Sequence, residues 1–233
     1  MSFPDLFDHF DHVYIVNLPY RDDRRHETIA DFARVGVTIP NAHITFFEAS
    51  RPTEKGEFPS IGSLGNFLSQ TRVLADALEK GFERILICED DLQFNDLHDT
   101  TVAKVLADLK TTDWSIAALG YLEPETPPTD TIGLIDWAGG TRGTQFWAIQ
   151  GDSVRAFHDY LELVRSRPSG PPKAARCSLT APSTWSAPLC PAPPSALRPR
   201  ALRGNAAPAP TFMISGFMTA SSLSAASSVA CAN

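Results

Sequence analysis

The sequence predicts an α/β layered domain followed by a tail of different character, and three observations carry that reading. Short apolar runs alternate with amphipathic stretches up to about residue 165. One of those stretches, Ser63 to Lys80, keeps a helical period over its whole length. All 27 Asp and Glu residues lie at or before Glu162, and 11 of the 19 prolines lie after Arg167.

Taken in order, Val13 to Leu18 is an apolar run ending in a polar turn, and Asp22 to Val35 brings Ile29, Phe32, Ala33 and Val35 to helical spacing before Gly36. This predicts strand, loop, helix and cap. His43 to Ala49 is a second strand. A turn-rich stretch through Pro52, Gly56, Pro59 and Gly62 leads into the Ser63 to Lys80 helix, which sets Leu64, Phe67, Leu68, Thr71, Leu74, Ala75 and Leu78 on one face before Gly81. Arg84 to Cys88 is a buried strand. Thr101 to Lys110 is helical, Trp114 to Gly120 and Thr144 to Ile149 are strand-like, and Asp152 to Val164 is a closing helix. There is no internal repeat.

Charge narrows the function. The first 162 residues hold 13 Lys and Arg against all 27 acids, a balance of −14, while the remainder carries +7. An acidic domain does not suit a nucleic-acid partner, because binding to a phosphate backbone draws on clustered Lys and Arg. The opening Met-Ser-Phe-Pro-Asp lacks the basic start and apolar run of a secretory signal, and no segment reads as a membrane span. These features predict a cytoplasmic chain, at most peripheral to the inner membrane. Cys177, Cys190 and Cys231 match no metal spacing, and Cys88 reads as a small buried apolar residue.

Two constellations carry chemistry. Glu89, Asp90 and Asp91 stand at the carboxyl end of a buried strand, where ligands of open α/β sheets bind. Three adjacent carboxylates repel one another unless a cation sits among them, and a divalent metal with a diphosphate resolves that repulsion. Side chains alternate along an extended segment, so Glu89 and Asp91 face one way and Asp90 the other. Oxygen ligands suit Mg or Mn. The competing reading is a solvated acidic loop. The second constellation follows the first strand: Asn17 and Leu18, then Arg21, Arg24 and Arg25. It reads either as a contact for a base, ribose or phosphate, or as a charged helix start with Asp22 and Asp23 favoured by the helix dipole.

In this order the features resemble glycosyltransferase family 25, which includes lipooligosaccharide and collagen galactosyltransferases. The matching residues are Val13-Tyr-Ile-Val-Asn-Leu18 with Arg21, Arg24 and Arg25; Gly62 through Leu74 in the long helix; Ile85 through Asp91; Trp114 through Gly120; and Gly143 through Ile149. Together they span roughly residues 11 to 165. The resemblance implies a GT-A-like, Rossmann-type nucleotide-sugar-binding domain over residues 1–165, while composition alone predicts a poorly ordered tail over 166–233. It implies an inverting, metal-dependent transfer from a UDP-sugar, typically UDP-galactose, to a glycan or lipid-linked glycan acceptor such as lipooligosaccharide. It puts Asn17, Leu18, Arg21, Arg24, Ser69, Glu89 and Asp90 at the donor, and Asp91 with Glu89 on a Mn or Mg ion. Where many members have Gly-Cys and Ser-His, this chain has Gly65-Asn66 and Ser69-Gln70. The family's base is expected on a later acidic segment that this chain lacks, leaving Asp136, Asp152 or another upstream carboxylate.

Pro168 to Pro210 is expected to hold little regular structure, since proline removes donors and the segment has no sustained period. Acids vanish while Pro, Ala, Ser and Arg rise together at one point, as in GC-rich DNA read out of frame. With one permitted choice of codons, Gly204 to Ser222 reads in another frame as a segment similar to the family's closing one, and acids return. A non-catalytic nucleotide-sugar-binding remnant is therefore the alternative. A phosphoryl-transfer or receiver-type domain is disfavoured, because Glu89 to Phe94 lacks the Asp-x-Asp-x-Thr/Val arrangement.

Overall fold

A computed structural model of the chain describes residues 2–94, 99–120, 123–124, 133–136, 141–142, 144–166, 211–214 and 218–220. Five helices and eleven strands are described: α1 Phe3–Phe7, β1 His12–Asn17, α2 Asp22–Arg34, β2 Ile44–Glu48, α3 Ile61–Lys80, β3 Arg84–Glu89, β4 Leu92–Phe94, α4 Asp99–Thr111, β5 Ile116–Gly120, β6 Glu123–Pro124, β7 Leu134–Asp136, β8 Thr141–Arg142, β9 Phe146–Gln150, α5 Asp152–Arg165, β10 Thr211–Ile214 and β11 Met218–Ala220. The main sheet runs β2-β1-β3-β9-β5-β10-β7. β2, β1 and β3 are parallel, β9 enters antiparallel between β3 and β5, and β10 is parallel to β5. The fold is the mixed α/β layer expected of the sequence.

Strand side chains alternate between two faces, and each face meets its own helices. Val13, Ile15, Leu86, Cys88, Phe146 and Ala148 pack toward α1, α2 and α4 in a core with Phe7, Phe32, Val105 and Trp114. Their neighbours Tyr14, Val16, Ile85, Ile87, Trp147 and Ile149 pack toward α3 and α5 with Phe67, Leu74, Phe157 and Leu161. Strands that are apolar on both faces are what a sheet covered on both sides requires.

Helix ends follow local chemistry. Ser60 accepts from the Ser63 amide at 3.0 Å to cap α3, and Gly81 closes it at φ 71°, a left-handed conformation that favours glycine. Near the start of α3, a Cβ added at Gly65 would stand 2.8 Å from the Ser50 carbonyl, so the helix approaches the loop after β2 as only glycine allows.

Pro168 to Pro210 lies outside the described residues. Within the region expected to be a poorly ordered tail, β10 begins at Thr211 and joins the main sheet between β5 and β7, while β11 pairs antiparallel with β4. The backbone of a tail strand can enter because a strand end needs ladder partners more than a particular side-chain set.

Candidate functional site

The parallel strands β1, β2 and β3 end side by side at Asn17, Glu48 and Glu89, so their following loops share one edge of the sheet. Three groups of residues meet along it.

Glu89, the last residue of β3, leans toward α3. The Asn66 Nδ2 donates to its Oε1 at 3.2 Å, and the Thr144 hydroxyl donates to the same oxygen. Asn66 also donates to Thr144 Oγ1 at 2.9 Å and accepts from Gln70 Nε2 at 3.1 Å. Burial first, partly offset by the Thr144 bond and reinforced by the Asp91 and Asp90 charges, pushes the Glu89 carboxyl up to about 7. Asp90 leans the opposite way: Asn17 Nδ2 donates to its Oδ2 at 2.7 Å and Thr28 Oγ1 to its carbonyl at 3.0 Å. Burial raises its carboxyl, against the pull of that Asn17 bond and of the Arg24 and Arg21 charges. Asp91 Oδ1 is buried without a hydrogen-bond partner.

The other residues named from sequence lie on β1, on α2 and the loop before it, and on α3. Asn17 is 1% exposed; its Nδ2 serves Asp90 and its Oδ1 accepts from Arg25 at 3.3 Å. Leu18 is half-buried at the start of the loop. Arg21 grips Asp23 through two bonds of 2.8 and 2.7 Å, and Arg24 pairs with Glu27 at 3.2 Å. Both stand near enough to lower the Asp90 carboxyl. Ser69 donates to the Gly65 carbonyl at 2.7 Å and accepts from the Ser50 amide at 2.8 Å, so its hydroxyl holds the loop after β2. Two carboxylates weighed as bases lie elsewhere. Asp152 follows Gly151, whose amide bonds the Glu83 carbonyl before the start of β3, and so sits at the opposite edge of the sheet. Asp136 belongs to β7, at the far side beyond β9, β5 and β10.

Sequence reading did not find the open cleft beside this turn. It has a volume of about 510 Å³ and is lined by Pro19, Tyr20, Glu48 to Pro52, Leu68 and Arg72, at the carboxyl ends of β1 and β2. The Arg51 guanidinium lies 4.5 Å over the Tyr20 ring, and Arg72 lies 5.3 Å over Phe47. Tyr20 is 55% exposed, a signal available only from structure.

Among the described residues, no three His, Cys, Asp or Glu side chains converge as a ready-made metal cage. The donor set nevertheless fits a hard divalent cation with few protein ligands: the buried orphan oxygen of Asp91 and the Glu89 carboxylate are oxygens lacking compensating charge, and Mg-type ions take one or two carboxylates and complete their shell from phosphates and water.

The fold and this edge define a mixed α/β domain with an acidic turn beside a mixed polar and aromatic cleft. The chain resembles glycosyltransferase family 25. It shares 28% identity with procollagen galactosyltransferase 1-B of Xenopus laevis, covering 54% of this chain and 24% of that protein. It shares 22% identity with the inactive glycosyltransferase 25 family member 3 of Homo sapiens, covering 60% of this chain and 26% of that protein. The chain thus spans about a quarter of the length of the curated relatives it matches. Among solved structures it is similar to a glycosyltransferase involved in glycosylation of the major capsid of PBCV-1, with a TM-score of 0.40 and 14% identity over 67% of this chain and 68% of that one. No family model matches the chain. Among the described residues, no helix is long and apolar enough to cross a membrane.

Proposed function

We propose that this chain binds a nucleotide-sugar donor, UDP-galactose by the family resemblance, and forms the donor side of a glycosyltransferase acting on a glycan or lipid-linked glycan acceptor. The observation that carries the reading is the buried, partnerless Asp91 Oδ1 in an acidic turn that shares one edge of the sheet with a cleft at the ends of two parallel strands. The cleft takes the nucleoside, with Glu48 toward the ribose hydroxyls and the Tyr20–Arg51 pair against the base. Arg21 and Arg24, at the start of α2, face the diphosphate. Asp91 and Glu89 hold a Mn or Mg ion.

When bound, the cation neutralises negative charge growing on the departing UDP. This chain's residues do the rest at the donor: Asn66 and Thr144 hold the Glu89 carboxylate in place, and Asn17 holds the turn. Transfer also needs a carboxylate to accept the acceptor hydroxyl's proton. With Asp152 and Asp136 remote from the turn, a second reading is favoured by that gap: a domain that binds donor without turnover.

Calorimetric titration of the full chain with UDP, with and without Mn, tests the reading. Expected is Mn-dependent UDP binding that Asp91→Ala abolishes; Mn-independent binding that survives Asp91→Ala overturns it. Radiolabelled transfer to a glycan acceptor, measured alongside, separates enzyme from binder.

A further inference from the structure

We infer that helix α2 aims the acidic turn, with Thr28 and Asp31 acting as positioning residues for Asp91; the inference rests on the reading of that turn as a cation site. The segment from Asp90 to Phe94 is gripped at both ends by this one helix. At the near end, Thr28 Oγ1 donates to the Asp90 carbonyl at 3.0 Å. At the far end, the Phe94 amide donates to Asp31 Oδ2 at 2.7 Å, and Arg34 Nη2 donates to the Phe94 carbonyl while bonding Asp31 Oδ1 at 2.6 Å. Phe94 itself stands edge-on to Phe32 of the same helix, with ring centroids 5.1 Å apart.

Thr28, Asp31 and Arg34 are spaced by three residues, so they fall on one face of the helix. Asp91 lies between the two grips, and its partnerless oxygen is the atom whose direction they set. Thr28 is 2% exposed. Packing alone would be served there by a valine; the hydroxyl's single proton is shared between the Arg24 carbonyl at 2.8 Å and the Asp90 carbonyl at 3.0 Å, and the latter is the tie a valine cannot supply. Arg21 and Arg24 stand at the first turn of the same helix. The phosphate-facing cations and the grips on the metal turn therefore move as one piece, so a shift of α2 against β3 alters both together.

The test compares the full chain with Thr28→Val, Thr28→Ser and Asp31→Ala. Mn(II) binding in the presence of UDP is read by the loss of the free-ion electron paramagnetic resonance signal, and amide hydrogen exchange is read at Leu92 to Phe94 relative to β1. Loss of one net hydrogen bond corresponds to about a fivefold weakening. Expected are about fivefold weaker Mn(II) binding in Thr28→Val, restoration in Thr28→Ser, and faster exchange at Leu92 to Phe94 in Thr28→Val and Asp31→Ala. Unchanged Mn(II) affinity in Thr28→Val overturns the inference. If the unsubstituted chain binds no Mn(II), the cation reading falls by itself and the grip is judged on exchange: faster exchange in both variants supports it, and unchanged exchange overturns it.

Discussion

The Asn17 carboxamide donates to the Asp90 carboxylate at 2.7 Å, joining the last residue of β1 to the middle of the acidic turn across 73 positions of sequence. Because Asn17 also accepts from Arg25, it is a junction between a cation and an anion, and neither partner can replace it.

Asn17→Ala is therefore expected to destabilise the chain by about 1–3 kcal/mol, since it strips a partner from a half-buried carboxylate. Urea unfolding at neutral pH measures this. Asn17→Asp should be worse than alanine at that pH, because it sets a second carboxylate against Asp90; a smaller loss for Asp than for Ala would contradict the junction.

Glu89 gives a pH dependence of definite sign. Its carboxyl rises from 4.5 to about 7 on folding, so between those values the folded chain holds a proton that the unfolded chain has released. Stability should therefore fall as pH rises through that window and level off above it. Metal-free thermal melts from pH 4.5 to 8 test the slope, and Glu89→Gln should flatten it. A wild-type curve that rises over the window would refute the burial of this carboxyl.

Gly65→Ala is expected to lower stability by about 1–3 kcal/mol, the scale of overpacking a tight contact. The atom in the way is a backbone oxygen, Ser50 O, and the neighbouring Ser69 bond to the Ser50 amide prevents the loop from stepping aside. A melting temperature equal to wild type would show that the loop yields.

Nucleotide selection provides a separate check on the cleft. If Glu48 reads ribose hydroxyls, UDP should bind about tenfold tighter than 2′-deoxy-UDP in the wild type, the worth of one charge-assisted hydrogen bond. Glu48→Ala should erase that ratio while leaving Mn dependence intact. Competition calorimetry decides, and an unaltered ratio removes Glu48 from the ribose.

Sequencing the gene tests the tail. A shifted reading frame after about Val164 predicts that the alternative frame runs on without early stops into an acidic, amphipathic continuation, and that the corrected product transfers sugar where the present chain shows little or no activity. Early stops in that frame end the idea.

Much of the fold was legible because its elements are long or strongly periodic. The apolar run of Val13 to Val16, the face of α3 and the apolar run of β3 each belong to one uninterrupted segment. α1 was overlooked although the Ser2 amide bonds Asp5 Oδ2 at 2.6 Å, a capping signal set in only five helical residues. The direction of β9 was not readable, since a strand buried on both faces leaves the same apolar run whichever way it points. The acidic turn could be placed from its position after β3. Its supports could not: Asn66 meets Thr144 across 78 residues, and no local pattern records that meeting.

The antiparallel insertion of β9 between β3 and β5 also dictates an order of assembly. β5 leaves the ribosome before β9, yet it has no route to β3 except through that later strand. Until Phe146 to Gln150 has emerged, the nascent chain holds β2, β1 and β3 as one three-stranded sheet and β5 without either of its partners, since β10 comes later still, and one edge of β3 stands open to any passing strand. The acidic turn stands at the end of that same strand, so the site is completed only when β9 closes on β3 and brings Thr144 to Glu89.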